Sequence, residues 1–425
     1  MHIFFVAVLW ISYFVTLYLG VYWLLSYFEN YQDFRNEKSN RKLTEFPFVS
    51  VIVPAYNEEN TIEATARSVL NLNYPRDKLE LIMVNDGSHD RTLERMQKIK
   101  KRFSKRDIKI ISHDNIGKAA SMNKAIWQAK GKYFACLDAD SFTEKENLQK
   151  MIAMFQKDPE LAIVTPAMKV KEPKTWLQKF QRLEYITTIL FARIMSHFDM
   201  IYVAPGPFSV YNKNIVKKLG GFDVGNLTED MEIAYRMQKH HYKIRQCFDA
   251  YVHTIAPQNI RALYKQRNRW YKGGFINFIK YRQTFLNPKY GDFGIFMMPV
   301  ILCLYIFSIV TLGFTAYFTI EPILDALRSL SLINFNIIPH IVDFFTLNFS
   351  FNILDMAFSR FSMLAMIFGL SFILLYVAHK NANESVRKNG IMYVVPYTFF
   401  YFIILSAFVL VILTQTLIGA KQQKW

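Results

Sequence analysis

The sequence predicts an α/β domain with a largely parallel sheet, joined to about four transmembrane α-helices. Three observations predict it. Short β-branched runs alternate with helical patterns between Phe48 and Leu137. Polar turns follow each run, and long apolar stretches stand before and after the domain. Hydrophobic residues make up 52% of the 425, with 38 phenylalanines, which is high for a wholly soluble chain. The net charge of +17 calls for anionic partners such as phosphates, nucleotides or an anionic bilayer surface. No nucleic-acid partner is expected. Cys136, Cys247 and Cys303 are scattered and form no Cys-x-x-Cys pair. That argues against a zinc or disulfide framework and fits a reducing compartment.

Ile3 to Tyr27 is apolar and uncharged, long enough to span a bilayer, and lacks the flanks of a signal peptide. Residues 1–28 are therefore read as a retained transmembrane helix and 29–292 as a cytoplasmic domain. Residues 293–425 form a membrane region of about three spans, Ile295–Ile320, Phe361–Ala378 and Ile391–Ile418. Between them, about 329–355 is aromatic, interrupted by Pro339, His340 and Asp343, and is either interfacial or re-entrant. Lys and Arg in the loops set the orientation. The basic domain and the loop with Lys380, Arg387 and Lys388 fall on the cytoplasmic side, and the acidic connection Glu321 to Arg360 outside. Lys421 and Lys424 then fall outside, against the rule. The expected location is the cell membrane.

Within the domain, Pro47–Pro54 reads as the first strand, followed by a helix from Asn57 through Leu72. Leu79–Val84 and Ile108–Ile111 are the second and third strands; a helix then runs through Ala129. Tyr133–Leu137 is the fourth, ending at Asp138-Ala139-Asp140. In an open α/β sheet, ligands bind beyond the strand carboxyl ends. That gathers Tyr56, Asp86, Lys118 and Asp138 around one crevice. Tyr56 can stack on a base, Asp86 can accept from a base N–H, and Lys118 can meet a phosphate. Asp138 and Asp140 suit a divalent cation that also holds phosphate oxygens. The plainer alternatives are a packing aromatic, a turn, a solvated lysine, and an acidic turn with Asp140 capping the next helix. No Walker lysine motif or Gly-x-Gly-x-x-Gly stands here, which argues against a nucleoside triphosphatase or a dehydrogenase.

Farther on, residues about 173–199 carry Trp176, Phe180, Leu183, Leu190, Ile194 and Phe198 at helical spacing. Lys174, Lys179, Arg182 and Arg193 decorate the same helix. This is a basic amphipathic helix suited to the membrane interface, though a core-facing helix shares the pattern. Pro205-Gly206-Pro207-Phe208 is a turn where backbone can approach a sugar closely. Thr228 reads as a helix cap, with Glu229 and Asp230 in the first turn. A second interface helix is expected over about 259–286. Within it Arg267 and Arg269 can neutralise a leaving diphosphate, and Trp270 offers a flat face for a sugar. His253 is a candidate to join Asp140 on a metal, with a structural role as the plainer reading.

Val53-Pro54-Ala55-Tyr56-Asn57-Glu58-Glu59, Asn85-Asp86-Gly87-Ser88, Gly117-Lys118-Ala119-Ala120 and Asp138-Ala139-Asp140 together resemble glycosyltransferase family 2 from Phe48 to about Gly274. The resemblance implies a GT-A (Rossmann-like) fold and a nucleotide-diphosphate sugar, with UDP the expected nucleotide. It implies that Ala55, Tyr56, Glu58 and Asp86 line the nucleoside. Lys118 would meet the nucleotide or sugar, Asp138 the ribose and diphosphate, and Asp140 a Mg²⁺ or Mn²⁺ ion. Thr228-Glu229-Asp230 would supply the general base, Asp230. Gln266-Arg267-Asn268-Arg269-Trp270 is similar to the Gln-x-x-Arg-Trp signature of membrane-bound, often processive members. Many polysaccharide synthases carry an acid where this chain has Ile255, so processivity stays open. The expectation is an inverting, metal-dependent sugar transferase acting on a saccharide or a lipid-linked acceptor at the membrane. A glycolipid or polyprenyl-phosphate glycosyltransferase is the alternative to a polysaccharide synthase, and a non-catalytic nucleotide-binding scaffold a remote one.

Overall fold

The computed structural model describes residues 2–39, 43–332, 358–386 and 391–418. Most of the 329–355 segment, Arg387, Lys388, Lys421 and Lys424 lie outside them. The chain opens with α1 (His2–Glu29) and α2 (Tyr31–Ser39). Then β1 (Val49–Ala55), α3 (Ile62–Leu70), β2 (Leu79–Asp86), α4 (Thr92–Arg102), β3 (Asp107–His113), α5 (Lys118–Gln128) and β4 (Tyr133–Cys136) follow in order. These strands pair in parallel as β3-β2-β1-β4. Alternation explains both faces. Val51 and Val53 point to α3 and α4, while Ile52 points to α5, and all are fully buried.

The second half of the sheet is mixed. It comprises β5 (Ser141–Thr143), α6 (Asn147–Lys157), β6 (Leu161–Val170), α7 (Trp176–His197), β7 (Ser209–Asn212), α8 (Lys213–Lys218), α9 (Glu229–Lys239) and β8 (Lys243–Thr254). Strand order over all eight is β3-β2-β1-β4-β7-β6-β8-β5. β7 is antiparallel to both β4 and β6, and β5 is antiparallel to β8. Direction therefore reverses beside β4, where the paired aspartates emerge.

Then come α10 (Ile260–Lys280), α11 (Met298–Leu332), α12 (Phe358–Asn381) and α13 (Phe402–Leu417). Three segments among the described residues are long and apolar enough to cross a membrane: Ala7–Glu29, Phe293–Tyr317 and Val394–Leu417. The fourth expected span falls in α12, whose apolar stretch Ala365–Asn381 is shorter. Both Phe293–Met297 and Tyr397–Tyr401 are π-helical turns at the starts of their spans.

The helix α7 opens with a capping box between Thr175 and Gln178. Its apolar residues Ile186, Ile189, Leu190 and Ile194 share a buried cluster with Trp23 of α1, Met298 of α11 and Val377 of α12. Thus α7 lies between the sheet and the chain's own membrane helices. Its basic residues are likewise engaged within the chain. Lys179 donates to the Tyr393 hydroxyl at 2.7 Å, Arg182 pairs with Glu384, and Arg193 meets Asn381 and the Phe34 carbonyl.

Candidate active site

The loops at the carboxyl ends of β1 and β2 are laced together. The Asn57 and Glu58 amides donate to Ser88 Oγ at 3.0 Å and Thr92 Oγ1 at 2.8 Å. The Tyr56 ring stands edge-on to His89, with centroids 6.4 Å apart. Asp86 is buried, and its carboxylate accepts from the Ile116 and Gly117 amides at 2.8 and 3.0 Å. It thereby clamps the loop that begins α5. Its Oδ1 also faces His113 Nδ1 at 3.4 Å, which leaves Oδ2 a further lone pair for a ligand N–H. Ala55 is buried and closes β1 beside this loop cluster.

Lys118, the first residue of α5, reaches Asp138 Oδ1 at 2.7 Å and Glu229 Oε1 at 3.1 Å. Burial works against its charge, but the two carboxylates more than offset this and hold it protonated. Gly206 lies against that pair. A Cβ there would stand 2.9 Å from Asp138 Oδ2 and 3.0 Å from Lys118 Nζ. The turn between Pro205 and Pro207 therefore approaches an ion pair closely.

Asp230 sits in the first turn of α9, where its carboxylate accepts from the Met231 amide at 2.8 Å. Burial, then the neighbouring Glu229, push its pKa up to about 6. The sequence places Thr228 as a cap, but its side chain makes no cap hydrogen bond. Its hydroxyl instead accepts from Asn277 Nδ2 of α10 at 3.1 Å. Gly273 makes this approach possible, since a Cβ there would stand 2.3 Å from that hydroxyl. Thus α10 locks the turn that presents Glu229 and Asp230.

Asp140 accepts from its neighbour's Ser141 Oγ at 3.0 Å and does not cap a helix, because β5 intervenes before α6. Burial and Asp138 raise its pKa; burial, Asp140 and Asp138 raise that of Glu58. Crowded carboxylates of this kind are relieved by a cation. Among the described residues no third His, Cys, Asp or Glu completes an all-protein cage. Two carboxylates suit Mg²⁺ or Mn²⁺, which keeps waters and takes diphosphate oxygens. His253 does not join them; its Nε2 lies 3.1 Å from Glu144.

These residues open on a cavity of about 520 Å³. Lys118, Asp138, Asp140, Glu229 and Asp230 line one wall, and Gln266, Arg269 and Trp270 of α10 another. Gln266, Arg269 and Trp270 are spaced i, i+3, i+4 and share a helix face. Arg267 is one residue off that face and does not reach the cavity. It is buried, 2.7 Å from Glu184 of α7 and 3.4 Å from the Tyr401 hydroxyl, under the Trp270 ring at 4.3 Å. The expectation that Arg267 touches a leaving diphosphate is therefore corrected: it supports Trp270 from behind. The sequence reading missed Glu184, Tyr401, Gly273 and Asn277, which hold α10 in place.

The family model for Glycosyl transferase family 2 matches residues 50–220. Poly-beta-1,6-N-acetyl-D-glucosamine synthase of Staphylococcus aureus (strain MSSA476) is 32% identical over 267 residues, 61% of this chain and 64% of its own. The synthase of that name from Staphylococcus epidermidis is 32% identical over 270 residues, with the same coverage. The match thus spans less than two thirds of those relatives. Among solved structures, the mannosyltransferase PcManGT from Pyrobaculum calidifontis, in complex with GDP-Man and Mn²⁺, aligns with a TM-score of 0.59. The alignment covers 96% of this chain and 100% of that one at 17% identity. It shows a shared GT-A fold.

Proposed function

We propose that the protein, whose residues 50–220 match the Glycosyl transferase family 2 model, is an inverting, metal-dependent sugar transferase fixed to the membrane. One observation carries the reading. Lys118, Asp138, Asp140 and Asp230 meet on a single cavity at the strand carboxyl ends. Tyr56, Glu58 and Asp86 surround the nucleoside of a UDP-sugar, and Lys118 with Asp138 orients the donor beside the diphosphate. Asp140 would hold the Mg²⁺ or Mn²⁺ ion, which supplies charge neutralisation for the departing diphosphate.

Asp230 receives the proton of the acceptor hydroxyl while its oxygen bonds to the anomeric carbon. The bond from that carbon to the diphosphate oxygen breaks, and its electron pair leaves with the nucleoside diphosphate. Arg269 stabilises the charge that develops, and Trp270 gives the acceptor a flat face. Glu229 keeps Lys118 charged and in place. The catalytic domain is cytoplasmic, where nucleotide sugars are made. Incubating the full chain with labelled UDP- and GDP-sugars and following nucleoside diphosphate release tests this. Metal-dependent release from one donor is expected. Release from none overturns it.

A further inference from the structure

The cavity does not end at the carboxylates. It continues between α11 and α13. Its lining on α11 is Ile301, Leu304, Tyr305 and Ser308, at i, i+3, i+4 and i+7. On the facing helix it is Phe402, Leu405 and Val409. Eight residues of helix on each side, seven rises of about 1.5 Å, make an arm about 10 Å long. The hydrocarbon core of a bilayer is about 30 Å thick, so the lined arm is about a third as long as that core.

The chemistry of the arm is one-sided. Neither helix contributes a charged side chain to it. Its two hydroxyl groups on α11 are already engaged: Tyr305 donates to the Tyr271 carbonyl at 3.2 Å and Ser308 to the Leu304 carbonyl at 2.8 Å. A saccharide entering here would strip water from several hydroxyls per sugar unit with little to replace it. A hydrocarbon chain would meet no such cost and would gain by burial. Leu304 and Phe402 line the arm and keep 50% and 45% of their surface accessible.

We propose that this arm seats the hydrocarbon tail of a lipid-linked acceptor, with its hydroxyl head beside Asp230. The inference rests on the sugar-transfer reading and assigns its acceptor class. The protein transfers single sugars to a tailed acceptor rather than threading a growing saccharide between α11 and α13.

The test uses the full chain in phosphatidylcholine nanodiscs, the labelled donor panel, and octyl β-glucoside against methyl β-glucoside as acceptors. Each buried methylene is worth roughly fourfold in affinity, so kcat/KM for the octyl acceptor is expected to exceed that for the methyl one by at least about 10²-fold. Leu304→Trp and, independently, Leu405→Trp fill the arm. Each should raise KM for the octyl acceptor at least about tenfold, with nucleotide binding as the check on folding. Equal use of the two acceptors overturns the proposal, as do long saccharide products whose yield survives both substitutions. If no donor turns over, the transferase reading fails, and a photoreactive octyl glucoside tests the arm alone. Labelling of α11 or α13 that octyl but not methyl glucoside competes away supports it, and labelling without such competition overturns it.

Discussion

At the scale of single residues, the site is a set of acids whose charges are managed by burial and by one lysine. Asp230 works as a base only when deprotonated, and its pKa is pushed up to about 6. The rate should therefore fall as pH drops through about 6, and kcat/KM against pH reports that limb for the free enzyme. A limb near pH 4 would contradict the burial argument. The sign for stability is opposite to that for activity. A carboxyl whose folded pKa is raised favours the folded state at low pH, and that contribution fades as pH rises through about 6. Asp140→Ala removes a carboxylate from the crowded trio with Glu58 and Asp138. Donor affinity in the variant should no longer respond to Mg²⁺ or Mn²⁺, as titration calorimetry would show. An unchanged metal response would remove Asp140 from the metal site.

At the scale of elements, α10 is the organiser. One face presents Gln266, Arg269 and Trp270 to the cavity, and the adjacent face buries Arg267 against Glu184 and Tyr401. Glu184→Gln leaves that guanidinium buried beside a neutral partner, which is expected to cost about 3 kcal/mol. A lower thermal midpoint in detergent checks this, and an unmoved midpoint would mean that Tyr401 and the Trp270 ring suffice. Elements of the first half were legible in the sequence because each parallel strand ends in its own polar turn. The second half was not, since β5 and β7 are short and pair with distant strands. The role of Arg267 was readable in principle. Helical spacing alone separates it from the face of Gln266, Arg269 and Trp270. The membrane helices were located by apolarity, but α7's place beneath them was not, because a helix packed on spans and one lying on lipid show the same stripe.

At the scale of the whole molecule, the domain and the spans are one unit, with the cavity crossing from one to the other. The loop after α12 returns to the domain: Glu384 pairs with Arg182 and Lys169, and Asn383 donates to the Tyr251 hydroxyl at 2.8 Å. Asn383→Cys should therefore resist an impermeant thiol reagent in intact cells and react in opened ones, and labelling in intact cells would contradict a cytoplasmic domain.

The central claim is that this assembly transfers sugar with Asp230 as base, and Asp230→Asn tests it most directly. The substitution preserves size and the ability to accept the Met231 amide, so α9 should survive. Measured side by side, donor affinity should stay near that of the native chain while sugar transfer falls by at least about 10²-fold. Near-normal transfer by the folded, donor-binding variant would contradict the account.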